Sequence, residues 1–349
     1  MNKLSKLKLI ILISFLLSSA FILNSCAKSN KKTSDKKIEI KKSFYSMGTF
    51  WEIKVVSTNK NKSKDLKTIG LAIKKVKKLD DILSDFKPSS NVSLINKYSG
   101  IKPVKANPDL LRLLKLSLQF YRLTDNSFDV AIGPIMKIWG FYDKKYAVPN
   151  EININKTVFL SNPRFIKING KMVFLEKRGM MIDFGGDGEG YGIDEALFVL
   201  KKYGIKNALV NGGGQITAIG KNIKGKSWKV GLLDPLNKNK IIKIIRLKNE
   251  SIETSANYEN RFLYKGKYYG HIMNPRTGYP VDGNTLSDTI IVENKDFHYP
   301  STVADALSCS FFILRRKQIS DVIKKFKKPV KVILVKEVKK HLKYTTLTN

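Results

Sequence analysis

Met181-Ile182-Asp183-Phe184-Gly185-Gly186-Asp187-Gly188-Glu189-Gly190-Tyr191-Gly192-Ile193-Asp194 is the stretch that decides the architecture. Met181 to Phe184 reads as a short strand. Five glycines then fall within the twelve residues from Asp183 to Asp194. From Tyr191 to Tyr203, Ile193, Leu197 and Leu200 share one side of a helix, with Gly204 as its C-cap. A strand entering a helix through a glycine run lets a ligand approach the backbone and offers an anion the helix N-terminus. A tight strand-to-helix turn without a ligand is the alternative reading. No G-x-G-x-x-G register fits, and no Gly-Lys-Ser/Thr follows, so the run is neither a dinucleotide fingerprint nor a Walker A loop.

Outward from this centre, strands and helices interleave. Ala208-Leu209-Val210 and Ile216-Thr217-Ala218-Ile219 read as strands around Gly212-Gly213-Gly214. Further strands are expected at 228–233, 241–247 and 287–293, and PVKVILV (329–335) as the final one. Thr302 to Leu314 is mostly apolar and reads as a buried helix. Upstream, Trp51, Ile53 and Val55 share a strand face. Leu66, Ile69, Ile73, Val76, Leu79 and Leu83 recur at helical spacing across 65–84, and a second helix covers Asp109 to Leu123. There is no strict βα repeat, so the fold class is α+β. The expectation is one large domain over 43–345, with mixed, mainly antiparallel sheets flanked by helices.

The N-terminus has a different character. Lys3, Lys6 and Lys8 precede an apolar stretch from Leu9 to Leu23, which ends in Leu23-Asn24-Ser25-Cys26. This resembles the lipobox of bacterial lipoproteins, in which the Cys is lipidated and becomes the first mature residue. An ordinary cleaved signal peptide containing Cys26 is the alternative. On the lipoprotein reading, residues 1–25 are the signal peptide and 26–42, rich in Lys and Ser, a flexible tether. The protein then sits in the cell envelope, anchored on the extracytoplasmic side. Only Cys26 and Cys309 occur in the 349 residues, so a lipidated Cys26 excludes an intrachain disulfide.

The formal net charge is +35, from 64 basic and 29 acidic residues. Such a balance invites a nucleic-acid reading. Yet the Lys residues are spread along the chain, with no zinc-finger spacing and no aromatic-basic RNA signature. No nucleic-acid partner is expected. Attraction to an anionic membrane surface, or an AT-rich codon bias, accounts for the charge.

Two more clusters carry chemistry. Glu253-Thr254-Ser255-Ala256-Asn257-Tyr258 precedes the turn-rich His271-Ile272-Met273-Asn274-Pro275-Arg276-Thr277-Gly278-Tyr279-Pro280. His271, His298 and His341 are the only histidines, and HExxH is absent, which argues against zinc. In Ala304-Asp305-Ala306-Leu307-Ser308-Cys309, Asp305 and Cys309 stand one helical turn apart. A carboxylate in an apolar helix needs a partner: a hard cation, a helix cap or an ion pair.

Taken in order, these segments resemble the FAD:protein FMN transferases, the ApbE-type flavin transferases. The matching blocks are Ser46-Met47-Gly48-Thr49, then Leu83-Ser84-Asp85-Phe86 with Ser90 and Asn96, then Thr124-Asp125-Asn126-Ser127-Phe128-Asp129 with Gly133-Pro134 and Trp139-Gly140-Phe141. Asp183 to Asp194, Asn211-Gly212-Gly213-Gly214, Thr254-Ser255 to Pro280 and Ala304-Asp305-Ala306 complete the series. The resemblance implies binding of FAD and Mg²⁺. It implies transfer of FMN through a phosphodiester to a Thr or Ser hydroxyl of a partner, with release of AMP. The implied partner is a flavin-carrying subunit of a redox-driven ion pump or an exported electron-transfer protein. It further implies that Met47, Phe86, Ser127, Phe128, Asp129, Asp183, Glu189 and Met273 contact FAD. Asp305, Cys309 and the backbone around Gly186 and Gly188 would hold the metal. His271 would be the general base, with a loop-locking role as its alternative. Three positions depart from the family pattern: Glu189 where Lys is frequent, Gln215 where Asp is usual, and Cys309 where Thr or Ser is common. A thiol is a poor Mg²⁺ ligand. An FAD pyrophosphatase and a non-catalytic flavin-binding lipoprotein are the competing readings.

Overall fold

Alternation builds the main sheet. In Thr49–Thr58, Trp51, Ile53 and Val55 are buried on one face, as expected. The strand pairs along its whole length with Lys37–Ser46, through a two-residue turn at Met47 and Gly48. Both turn residues take positive φ, +51° and +74°, the conformation that a tight hairpin with right-handed strand twist requires. The computed structural model describes residues 35–256, 260–338 and 341–349. The expected signal peptide, Cys26 and most of the tether lie outside them, as do Asn257 and Tyr258.

In chain order the strands are β1 (Lys37–Ser46), β2 (Thr49–Thr58), β3 (Val104–Lys105), β4 (Ile166–Asn169), β5 (Met172–Leu175), β6 (Ala208–Gly212), β7 (Gln215–Ile219) and β8 (Trp228–Asp234). They continue with β9 (Asn237–Leu247), β10 (Glu250–Ala256), β11 (Arg261–Tyr264), β12 (Lys267–Gly270), β13 (Thr285–Glu293), β14 (Val330–Val338) and β15 (His341–Thr348). The helices are α1 (Lys62–Leu83), α2 (Asn91–Lys97), α3 (Pro108–Leu123), α4 (Gly133–Ile138), α5 (Glu151–Leu160), α6 (Gly188–Lys202), α7 (Pro300–Phe311) and α8 (Arg316–Lys325). Eight strands form the main sheet in the order β1-β2-β6-β7-β10-β13-β14-β15. Every strand pairing among the described residues is antiparallel. The α+β class holds, at the fully antiparallel end of the expectation.

The two faces of the sheet carry different cores. Ala208 and Val210 point toward α1 and α6, packing with Ile69, Ala72, Val76, Ile193 and Leu197. Leu209, Ala218, Ile252, Ile291 and Ile333 point the other way, under the β8–β9 hairpin with Trp228. Burying a large apolar side chain contributes about 1.5–3 kcal/mol, so both faces stabilise the sheet. Among the described residues no helix is long and apolar enough to cross a membrane.

Four expectations need correction. Met181 to Phe184 forms no strand and joins no ladder. Asn96 takes its place: the side-chain amide donates to the Ile182 carbonyl at 2.9 Å and its oxygen accepts from the Ile182 N–H at 2.8 Å. The helix begins at Gly188, inside the glycine run, and not at Tyr191. Lys37 to Lys42, expected in the tether, belong to β1, where Ile38 and Ile40 pack into the helix-covered core. PVKVILV is not the final strand, because β15 pairs beside it along the edge.

The glycine run divides by function. A Cβ on Gly190 would sit 2.5 Å from the Ser301 carbonyl oxygen, and one on Gly192 would sit 2.9 Å from the Trp51 ring. These two glycines let α6 press against α7 and β2. The two helices also cap one another. Asp194 of α6 accepts from the Ser301 and Thr302 N–H groups at 3.1 and 2.9 Å, at the start of α7. Asp305 of α7 accepts from the Gly190 N–H at 2.9 Å, in the first turn of α6. Each exchange satisfies N–H groups that a helix start leaves orphaned.

Candidate active site

The β1–β2 turn, the end of α1, the α3–α4 connection, the glycine run, the His271 loop and the end of α7 converge on one cavity of about 380 Å³. Met47, Phe86, Ser127, Phe128, Asp129, Asp183, Gly186, Gly188, Glu189, His271, Met273 and Cys309 all line it. That is every expected site residue except Cys26, which lies outside the described residues, and Asp305, which lies outside the lining.

Local chemistry fixes each contributor. Met47 reaches the cavity because the hairpin turn holds it in the left-handed region. Thr124 shapes the α3–α4 connection: its hydroxyl donates to the Phe120 carbonyl at 2.8 Å and accepts from the Phe128 N–H at 3.1 Å. Asp125 and Asn126 follow it with φ of +52° and +63°, which short polar side chains tolerate. This turn delivers Ser127, Phe128 and Asp129 to the lining. Asp129 is buried and accepts from the Ala131 N–H at 2.7 Å. Burial pushes its carboxyl up to about 8, against the pull of that N–H.

Asp183 holds the glycine run open. It accepts from the Gly185 N–H at 2.7 Å and from the Tyr142 hydroxyl at 2.6 Å. Tyr142 also stands beside Asp85, which sequence reasoning quotes in a motif and assigns no role. Asp85 lines the cavity, with the Tyr142 hydroxyl beside its carboxyl and its Oδ2 buried out of reach of solvent. Burial, and then the nearby Asp183 charge, push Asp85 up to about 7. Tyr142 also lines the cavity and was missed, and Phe141, quoted in a motif without a role, lines it too. Only tertiary contact brings Tyr142 to Asp85 and Asp183.

His271 is fixed by its loop. Its N–H and its Nδ1 both reach the Asn260 carbonyl, at 3.0 and 3.1 Å. A carbonyl only accepts, so Nδ1 donates its proton to it. The positions that depart from the family pattern also have a place. Gln215 donates to the Ser301 carbonyl at 2.7 Å and braces α7 without lining the cavity. The Glu189 carboxylate lies against Gly213, where an added Cβ would meet it. The Cys309 thiol sits against Gly186, with Sγ 4.0 Å from the Gly186 carbonyl oxygen.

Behind the lining lies a buried acidic layer. Burial, and then the Glu189 charge, push Asp305 up to about 8. Asp187 is held well above the usual carboxylate range by burial, although the Ser117 hydroxyl donates to it. Asp288 is raised by burial, and neither of its oxygens closes a hydrogen bond. The Cys309 thiol is pushed up by burial and then by Asp305, Asp288, Glu253 and Asp187. Among the described residues no three His, Cys, Asp or Glu side chains already form a metal-binding group.

The comparisons with known proteins bear on this arrangement. A family model described as "ApbE family" matches residues 47–334. An FAD:protein FMN transferase of Klebsiella pneumoniae is 30% identical over 219 residues, covering 62% of this chain and 67% of the relative. One of Salmonella typhimurium is 24% identical over 317 residues, covering 88% of each chain. Among solved structures, the flavin transferase ApbE of Vibrio cholerae superposes with a TM-score of 0.77 over 89% of this chain and 97% of that one. At 21% identity it speaks for the fold alone. The ApbE protein of Thermotoga maritima superposes with a TM-score of 0.74 at 28% identity, over 85% of this chain and 94% of that one.

Proposed function

Because the chain belongs to the ApbE family, we propose that it transfers FMN from FAD to a Thr or Ser hydroxyl of a partner protein, releasing AMP. The observation that carries the reading is the cavity itself. Six separate segments deliver to it the side chains that the family resemblance assigns to flavin, phosphate and base. The relatives' name, FAD:protein FMN transferase, supports the same assignment.

In the reaction the acceptor oxygen bonds to the FMN phosphorus, the pyrophosphate bond breaks, and AMP leaves with the bonding pair. The protein's part is positioning and charge management. The cavity's glycine-lined wall presents backbone to a pyrophosphate, and at Gly186 the missing Cβ leaves room for Phe128 and Cys309 to close the wall. His271, with Nδ1–H held by the Asn260 carbonyl, is the general base for the acceptor hydroxyl proton. Phe86, largely exposed at the rim, and Met47 offer apolar surface to the isoalloxazine.

The oxygen donors suit a hard divalent cation such as Mg²⁺: the Asp305 carboxyl and the carbonyls of Gly186 and Gly188, with an orphaned buried oxygen on the adjoining Asp187. Such an ion would supply Lewis-acid neutralisation of the phosphate oxygens. With no ready group of three side-chain ligands, it would lean on carbonyls, water and the substrate. The acceptor is an exported or membrane flavoprotein subunit. The lipobox at Cys26 supports a membrane-anchored place on the extracytoplasmic side.

The test is to incubate the mature protein with FAD, Mg²⁺ and a candidate acceptor, and to read flavin fluorescence in a denaturing gel. A fluorescent acceptor band supports transfer. FAD recovered intact with and without acceptor would sink the enzyme reading.

A further inference from the structure

We propose that the outer face of the β8–β9 hairpin docks on an anionic lipid surface, through aliphatic side chains bordered by Lys and Arg. The inference is independent of the flavin chemistry. No residue of the hairpin lines the cavity, so its failure would leave the FMN transfer reading as it stands.

Three observations carry it. First, the hairpin has two unlike faces. Its strands pair only with each other, and Trp228, Ile245 and Leu247 are buried against the main sheet. A face that met only water would carry polar residues at the alternate positions. Instead Leu233, Ile241 and Ile244 are 46%, 56% and 53% exposed. Leu233 stands opposite Ile241, and Gly231 opposite Ile244. A Cβ on Gly231 would lie 3.0 Å from Ile241 Cδ1, so Ile241 leans across the glycine and the three side chains join into one apolar strip. Leu236, 57% exposed, sits in the turn. Second, cations border the strip. Lys229 and Arg246 are exposed and directly opposite one another, two residues beyond Gly231 and Ile244 on the same face. Like charges so placed destabilise a sheet, and an anionic surface turns that cost into attraction. Among the described residues the hairpin's one ion pair joins Lys240 to Asp234, at 3.6 Å. Third, the charge is concentrated. Residues 228–247 hold five basic residues and one acidic, about twice the chain's average density of net positive charge.

An exposed apolar patch rimmed by polar groups marks an interaction site, and the charge selects its occupant. A second copy would bring two basic rims together, which opposes self-association. The outer face, from Lys229 through Gly231 and Leu233 to Ile241, Ile244 and Arg246, has no acidic, hydroxyl or amide side chain for directional recognition. Aliphatic carbon beside long basic stems suits an anionic bilayer, where apolar groups enter the acyl boundary and Lys and Arg meet the phosphates.

The experiment uses the mature chain with Cys26→Ser, which carries no lipid anchor. It measures sedimentation with vesicles of phosphatidylcholine alone, or with about 30% phosphatidylglycerol, at about 0.1 M salt. This parent should prefer the anionic vesicles by at least about tenfold. Ile241→Ser with Ile244→Ser keeps every charge and should weaken binding to anionic vesicles about 10- to 100-fold. Lys229→Gln with Arg246→Gln should weaken it about 25-fold, each basic group near the surface contributing about fivefold. Ile152→Ser, on α5 and still more exposed, should bind as the parent does. Leu236→Trp places a reporter in the turn, whose fluorescence brominated acyl chains should quench. Thermal melting checks that each variant is folded. Equal binding of the parent to both vesicles overturns the inference. Full binding by the Ile241→Ser, Ile244→Ser protein shows attraction by the chain's general charge and overturns it too, as does a Leu236→Trp emission that brominated lipid leaves unchanged. A parent that dimerises without vesicles, and is monomeric once both Ile residues are replaced, assigns the face to a second copy and equally overturns it.

Discussion

Gly190→Ala tests whether the glycine run is built for the ligand alone or also for packing. A Cβ at this position would lie 2.5 Å from the Ser301 oxygen, 2.7 Å from its carbonyl carbon and 2.9 Å from the Thr302 Cα. Ordinary contact begins near 3.4 Å, so the shortfall approaches about 1 Å against backbone, which cannot rotate away. Overpacking of this kind costs about 1–3 kcal/mol, and a backbone obstacle puts it at the upper end. For a domain of this size that lowers Tm by on the order of 3–5 °C. Separating the helices also stretches the Gly190–Asp305 hydrogen bond and moves the α7 turn that carries Cys309. Gly188→Ala is the control. Its added Cβ would meet only the Phe184 Cβ, at 3.4 Å, so stability should change by less than about 0.5 kcal/mol. Thermal denaturation of the three proteins decides the matter. If Gly190→Ala melts with wild type, the packing argument for the second half of the glycine run is wrong.

Asp194→Ala removes two main-chain caps and a Thr302 hydroxyl bond from the start of α7, and should destabilise the protein by about 2 kcal/mol in urea denaturation. Asp129 gives a pH signature. Its folded value of about 8 lies above the unfolded value, so its stabilising contribution is full below about pH 4 and is lost as pH rises toward 8. The flavin-free and metal-free protein should lose up to about 1.4 kcal/mol per pH unit in that window from this group, and Asp129→Asn should flatten the loss. Cys309→Thr replaces a soft, half-buried thiol with a hard oxygen, so activity in Mg²⁺ should stay equal or rise. A large loss in steady-state rate would show that the thiol has its own role.

Much of this fold is written in periodicity. Trp51, Ile53 and Val55 announce β2, and the three- and four-residue spacing of Leu66 to Leu83 announces α1. Periodicity misled where local pattern and tertiary partner disagree. Met181 to Phe184 has strand composition, yet a single Asn96 side chain satisfies the Ile182 backbone and no second strand is needed. β15 is mostly exposed and polar on an edge, so it shows no apolar alternation to read. The candidate site followed a similar division. The ordered motifs placed Met47, Phe86, Asp129, Asp183, His271 and Cys309 around one cavity. Asp305 was expected as a metal ligand, and a helix cap was weighed beside it. The structure shows the cap on the neighbouring helix, through Gly190. Asp85, quoted only as part of a motif, and Tyr142 were given no role, because a lone carboxyl and a lone phenol have no pattern until the chain folds them together.

The central claim is that FAD is split only as FMN moves to an acceptor hydroxyl. The direct measurement is the ratio of AMP released to flavin covalently bound, followed in one reaction with Mg²⁺, FAD and an acceptor protein. Transfer predicts equal amounts, negligible AMP when the acceptor Thr is replaced by Ala, and loss of both products in a His271→Ala enzyme. AMP released at the same rate without acceptor, or covalent flavin formed without AMP, would contradict it.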